Sequence, residues 1–168
     1  MRLNRRMQRY LDDLRSRRVD AAPLVPGRPP DVEIVEAGGC FLLGRFARKP
    51  HLHVADFRDE TGLECSANKL PMAGLVDPRL SAAAPLLLLT AGLLTAQAVS
   101  QQLAQRPGIF NVIVSYDGES CAVRFHRLRA GQRWLAEDLE DYVDEGVLVV
   151  EAGQGARGAS LAMLSAAL

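Results

Sequence analysis

Two apolar runs joined by an Asp-Gly pair constrain this chain more than any other feature. Phe110 to Tyr116, Asp117-Gly118, and Glu119 to Phe125 read as a β-hairpin. Asp-Gly suits a two-residue type I′ turn, because both central residues there need φ above zero. In the second strand the period of two puts Cys121, Val123 and Phe125 on one face, and Ala122, Arg124 and His126 on the other. The first strand, Phe110-Asn111-Val112-Ile113-Val114, is largely apolar on both faces. That pattern predicts a central strand, buried from both sides.

More β structure is expected around the hairpin. Val32, Ile34 and Val35 suggest a strand, Gly38-Gly39 a turn, and Cys40 to Phe46 a second apolar run. His51 to Phe57 reads as a third strand, Arg58-Asp59-Glu60-Thr61-Gly62 as a turn, and Leu63 to Ala67 as a fourth strand. Val147 to Val150 is a last, continuous apolar strand.

Helices fill the intervals. Arg79 and Arg106 enclose 26 uncharged residues, long enough to raise a membrane span. Gln97, Gln101, Gln102 and Gln105 interrupt that stretch, and Ala supplies much of the rest. The expectation is therefore a long central helix packed on the sheet, with no span. Asp77-Pro78 and Pro85 both suit its first turn, and Pro107-Gly108 ends it. Trp134 to Asp144 has helical spacing, with Leu135, Leu139 and Tyr142 or Val143 as the inner stripe and Gly146 as the C-cap. Near the start, Leu3, Met7, Tyr10, Leu11 and Leu14 make one face of a helix over residues 2–18. Pro23, Pro26, Pro29 and Pro30 follow, so residues 19–31 read as an extended linker and the helix as a tethered appendage. Residues 153–168 read as a flexible Gly/Ala-rich tail beyond a single domain spanning 32–152. The fold class expected is α+β: an antiparallel sheet, with a mixed sheet as the alternative, packed against the long apolar helix.

Charge is balanced but unevenly placed. Residues 1–30 hold eight Arg against three Asp, leaving 12 basic and 17 acidic groups for the rest. A mildly acidic body excludes a surface built wholly for nucleic acid and leaves only the Arg-rich arm for that role. Six carboxylates crowd one stretch: Glu137, Asp138, Glu140, Asp141, Asp144 and Glu145. Such a run is either a solvated face or a protein-docking surface. Cys40, Cys65 and Cys121 are odd in number and far apart, which fits buried thiols in a reducing cytoplasm. The charged start of the chain has no apolar core of a secretory signal.

Catalytic signals are weak. His51 and His53 share a strand face as potential metal ligands with Asp56 or Asp59, but Asp56 falls on the opposite face. Cys121 and His126 fall on opposite faces of one strand, which separates a nucleophile from its base. No phosphate-loop, dinucleotide or nucleophile-elbow motif is present, and no cofactor is implied.

Three stretches carry a resemblance: His51-Leu52-His53-Val54-Ala55-Asp56-Phe57-Arg58-Asp59-Glu60-Thr61-Gly62, Val112 to Phe125, and Trp134 to Tyr142. In order and spacing the chain resembles small bacterial immunity proteins of contact-dependent growth-inhibition systems. The resemblance implies a non-catalytic cytoplasmic protein that binds a cognate toxin domain and blocks its active site. The partner-binding residues expected are Glu137, Asp138, Glu140, Asp141, Asp144 and Glu145, with Arg58, Asp59 and Glu60 as a second patch. The alternatives are a nucleic-acid-associated protein using its basic arm, and an enzyme with an unrecognised site, which a deep pocket holding His51, His53 and Asp56 together would favour.

Overall fold

The computed structural model describes residues 1–17, 32–47, 53–77, 79–80, 85–154 and 156. The proline-rich 19–31 stretch, His51, Asp77-Pro78 as a pair, and most of the 153–168 tail lie outside these residues.

Five strands form one antiparallel sheet. They are β1 (Arg2–Leu3), β4 (Leu70–Pro71), β5 (Phe110–Tyr116), β6 (Cys121–Arg127) and β7 (Gly146–Ala152), in the order β1-β7-β5-β6-β4. β2 (Ile34–Ala37) and β3 (Cys40–Leu43) form a separate hairpin around Gly38-Gly39, followed by the short helix α2 (Gly44–Ala47). The architecture is α+β. β5 is central, and the face assignment read from its hairpin partner holds. Val112, Val114, Val123 and Phe125 point into the main core with Leu148 and Val150, while Ile113, Val147 and Val149 point the other way.

α4 (Leu86–Leu103) covers the inner face. Its N-cap is Pro85, which settles the ambiguous start. Length and composition would allow this helix to cross a bilayer, but Leu89, Leu93, Ala96, Val99 and Leu103 are all buried within the body. Gly92 permits its close seat on the sheet, since a Cβ there would meet Cys121 Sγ at 2.5 Å.

Five expectations are corrected. The N-terminal helix, α1 (Arg5–Arg17), is integral rather than tethered. Met7, Leu11 and Leu14 join the main core, and Tyr10 stacks edge-on against Tyr116 at 4.7 Å. A side chain at Gly146 would strike Met7 backbone at 3.0 Å, so α1 rests directly on β7. The amphipathic stripe was visible in sequence; its partner surface was not.

The strand expected at Leu63 to Ala67 is a helix, α3 (Glu60–Ala67). Asp59 starts it by accepting a hydrogen bond from Gly62 N at 2.8 Å. The third strand expected at His51 to Phe57 is also absent among its described residues, where Val54–Asp56 form a 3-10 turn.

Trp134 to Asp144 is not an α-helix. Only Leu139–Asp141 form a 3-10 turn. Leu139 is buried as expected and Leu135 and Tyr142 are partly buried, whereas Val143 is 70% exposed. The helix is displaced because its carbonyls are needed elsewhere. Those of Leu139, Tyr142 and Glu145 all accept from Asn4 Nδ2, at 3.3, 3.1 and 2.9 Å. Tyr142 Oη accepts from Ala136 N at 3.0 Å. The density of like charge also weighs against a helix.

The hairpin turn is longer than the Asp-Gly pair suggested. Tyr116 faces Cys121, so Asp117 to Ser120 form a four-residue loop. Asp117 Oδ1 accepts from Glu119 N and Ser120 N, and Oδ2 from Ser120 Oγ. Partial desolvation pushes the Asp117 carboxyl up, but these hydrogen bonds outweigh it and hold the pKa below its ordinary value.

Candidate functional site

α3 fastens the small hairpin to the large sheet with two buried polar side chains, Glu64 and Asn68, one helical turn apart. Glu64 Oε1 accepts from Phe41 N on β3 at 2.8 Å, and Oε2 from Arg127 N on β6 at 2.7 Å. Asn68 Nδ2 donates to the carbonyls of Phe41 and Phe125, and Oδ1 accepts from Leu43 N. The two side chains thus occupy edge groups that another strand would otherwise have to pair. Arg129 closes a bidentate ion pair on Glu64, both contacts at 2.8 Å. The hydrogen bonds to Glu64 raise the Arg129 pKa against desolvation. This is structural chemistry, and it fixes the loop after β6.

That loop and the acidic segment lie over the outer sheet face and leave two hollows. One, of about 340 Å³, is lined by Ser115, Tyr116, Ala122, Arg124, Tyr142 and Glu145 among others. The other, of about 410 Å³, is lined by Arg2, Asn111, His126, Leu128, Arg133 and Trp134 among others. Trp134 and Leu135 border both.

The six expected carboxylates form an irregular arch rather than a helix face. Glu137, Asp138, Glu140, Asp141 and Asp144 are exposed, and Glu145 is half-buried. Their roles differ. Glu137 pairs with Arg133 at 2.8 Å. Asp138 caps the 3-10 turn through Glu140 N, and Glu140 accepts from Arg5 N at 2.9 Å. Asp141 and Asp144 face solvent. Arg6 donates to the Val143 carbonyl, so the two charge concentrations of the sequence, basic α1 and acidic arch, are neighbours.

The second expected patch is mostly committed to the fold. Arg58 is exposed, but Asp59 caps α3 and Glu60 accepts from Gln132 Nε2. The Glu60 pKa is lowered by its backbone hydrogen bond and then by Gln132. Gln132 Oε1 also accepts from Thr61 N and Oγ1. Gln132 therefore links this patch to the loop that leads into the arch.

His53 and Asp56 are both exposed, His53 just before the 3-10 turn and Asp56 as its last residue. Among the described residues no three His, Cys, Asp or Glu side chains stand close enough to hold a metal ion. Cys121 and His126 point to opposite faces of β6, as the strand period required. Burial pushes the Cys121 thiol up to about 12, and raises Cys65 and Cys40 as well. Burial lowers His126, against a hydrogen bond to the Arg127 carbonyl.

Sequence reasoning passed over Asn111 and Trp134. Asn111 is a polar break next to the apolar run Val112 to Val114 of the central strand, a signal readable from the strand pattern. Trp134 was assigned to the start of a helix that does not form.

A family model matches the chain over residues 2–163. No curated protein and no solved structure matches it.

Proposed function

The chain belongs to the Uncharacterized protein PM0498 family, and for it we propose a non-catalytic protein-binding role: capture of a cationic partner by the acidic arch, in the manner of an immunity protein that blocks a toxin domain. One observation carries the reading. The arch presents outward carboxylates on a backbone already held in place, since a single buried side chain, Asn4, ties down three of its carbonyls. A surface ordered before binding loses little conformational freedom on association. Concentrated negative charge steers encounter with a positive partner and rejects wrong ones. The exposed Val143 at the centre of the arch supplies an apolar contact inside that rim.

The reading requires a toxin domain encoded beside the chain's own gene, and the test is co-expression with it; a neighbourhood without one counts against the reading. Growth rescue is expected, together with a complex measurable by calorimetry. Changing Glu137, Asp141 and Asp144 to Lys leaves Asp138 and Glu140 in their structural roles. The triple variant should keep its fold and lose at least about tenfold in affinity, about 1.4 kcal/mol. The loss should shrink as salt rises. Unchanged affinity at low salt, or failure of the parent protein to rescue growth, defeats the reading.

A further inference from the structure

On the outer face of the sheet, Asn111 of β5 and His126 of β6 stand directly opposite one another in register. They are 7% and 2% exposed, and both line the 410 Å³ hollow. Every other buried side-chain amide described here, at Asn4 and Asn68, is fully engaged. Among the described residues Asn111 has no side-chain hydrogen-bond partner. His126 Nδ1 lies 3.0 Å from the Arg127 carbonyl, which can only accept, so Nδ1 carries the proton. Nε2 is then a bare acceptor. The floor of the hollow thus offers one acceptor nitrogen beside one amide that both donates and accepts.

The walls narrow the ligand further. Trp134, 40% exposed, and Leu128, 39% exposed, supply apolar surface. Arg2 pairs with Val149 across the β1–β7 ladder, which directs its side chain to this same face. Among the described residues it has no side-chain partner. Arg133 stands at the rim, tied to Glu137 only through an exposed pair. Arg129 is engaged by Glu64 and adds no free charge. The volume lies within the range of small-molecule sites, about 300–1,000 Å³.

We propose that this hollow binds a planar, amino-bearing heteroaromatic ligand with an anionic tail, the chemistry of an adenine nucleotide. The base would stack on Trp134, as bases do on aromatic platforms. Its amino group and ring nitrogen would pair with the Asn111 amide, the arrangement by which Asn reads adenine. His126 Nε2 would accept a second amino hydrogen, and Arg2 with Arg133 would meet the phosphate. Of the carboxylates assigned to the partner, Glu137 borders this hollow, whereas Asp141 and Asp144 do not, so the substitutions below at Asn111 and Arg2 test this site without touching the arch.

The sequence contains one tryptophan, so intrinsic tryptophan fluorescence reports on the two hollows that Trp134 borders, and substitutions at Asn111 and Arg2, which line only this one, tell them apart. The full chain is titrated with adenosine monophosphate, adenosine and ribose 5-phosphate. Saturable quenching by adenosine monophosphate is expected. Adenosine, lacking the anion, and ribose 5-phosphate, lacking the plane, should each bind at least about tenfold more weakly. Asn111→Leu should weaken adenosine monophosphate by a similar factor. Arg2→Gln, on an exposed side chain, gives the same readout without touching the core. Linear, unsaturable quenching would overturn the proposal, as would saturable binding that neither substitution weakens.

Discussion

Asn4 organises the acidic arch through one side chain. Its Oδ1 accepts from Met7 N at 2.9 Å, capping α1, and from Val147 N at 3.0 Å, continuing the ladder past β1. Its Nδ2 serves the three arch carbonyls. Removing a buried partner leaves those groups unsatisfied at about 1–3 kcal/mol each before relaxation. Asn4→Ala should therefore lower stability by about 3 kcal/mol or more, measured by denaturant melts. Asn4→Asp keeps the acceptor but not the donors, and should recover only part of it. A change within experimental error for Asn4→Ala would mean that water replaces the side chain. His126 bears on pH. Its folded pKa lies below the unfolded value of about 6.5. The unfolded chain then binds more protons as pH falls below that value, and the native state loses stability there. The charged and titratable neighbours that influence it, Glu64, Arg129 and Asp59, act more weakly than burial. Melting temperature should drop between neutral pH and pH values below about 6.5, and His126→Phe should flatten that drop. An equal slope in the variant would place the titration elsewhere.

At the scale of elements, α1 behaves as a core helix despite its composition. Its outer face carries most of the arginines, and its inner face places Met7, Leu11 and Leu14 in the main core, with the helix resting on β7. Each such burial contributes about 1.5–3 kcal/mol. Together with the β1 pairing and Asn4, that approaches the whole net stability of a domain, about 5–15 kcal/mol. Deleting residues 1–17 should abolish the cooperative thermal transition, followed by circular dichroism. A truncated chain that still melts sharply, near the parent temperature, would show that α1 is dispensable. α3 illustrates the opposite economy of contact. It is only eight residues long, yet Glu64 and Asn68 join β3 to β6 because both side chains lie on one face at a spacing of four.

Over the whole molecule, the sheet separates two environments. The inner side is a continuous apolar core under α4 and α1. The outer side is a small cluster around Ile113, Leu139, Val147 and Val149, with polar hollows at either side of Trp134. All three cysteines are buried in this body, and burial keeps their thiols protonated. Thiolate is the reacting species, so labelling at mildly alkaline pH should proceed only as fast as the chain opens. Rapid labelling of Cys121 in the native state would contradict this arrangement and reopen nucleophilic chemistry at β6.

The sequence alone determined the elements whose periodicity reports on a single buried surface. The β5–β6 hairpin, its two-faced central strand, the β2–β3 turn at Gly38-Gly39 and the apolar helix under the sheet were all legible for that reason. So was the inner stripe of Leu135 and Leu139, although the helix inferred from it does not exist. Only the tertiary structure decided what the polar residues do. Asn4 claims carbonyls more than a hundred positions away, Glu64 and Asn68 stand in for a strand, and Gln132 ties α3 to the arch. These long-range bonds override local propensity because a buried polar group must find its partner wherever the fold places one. A linear pattern records which side chains are apolar and how often they recur. It carries no mark of which backbone groups a distant amide or carboxylate will meet.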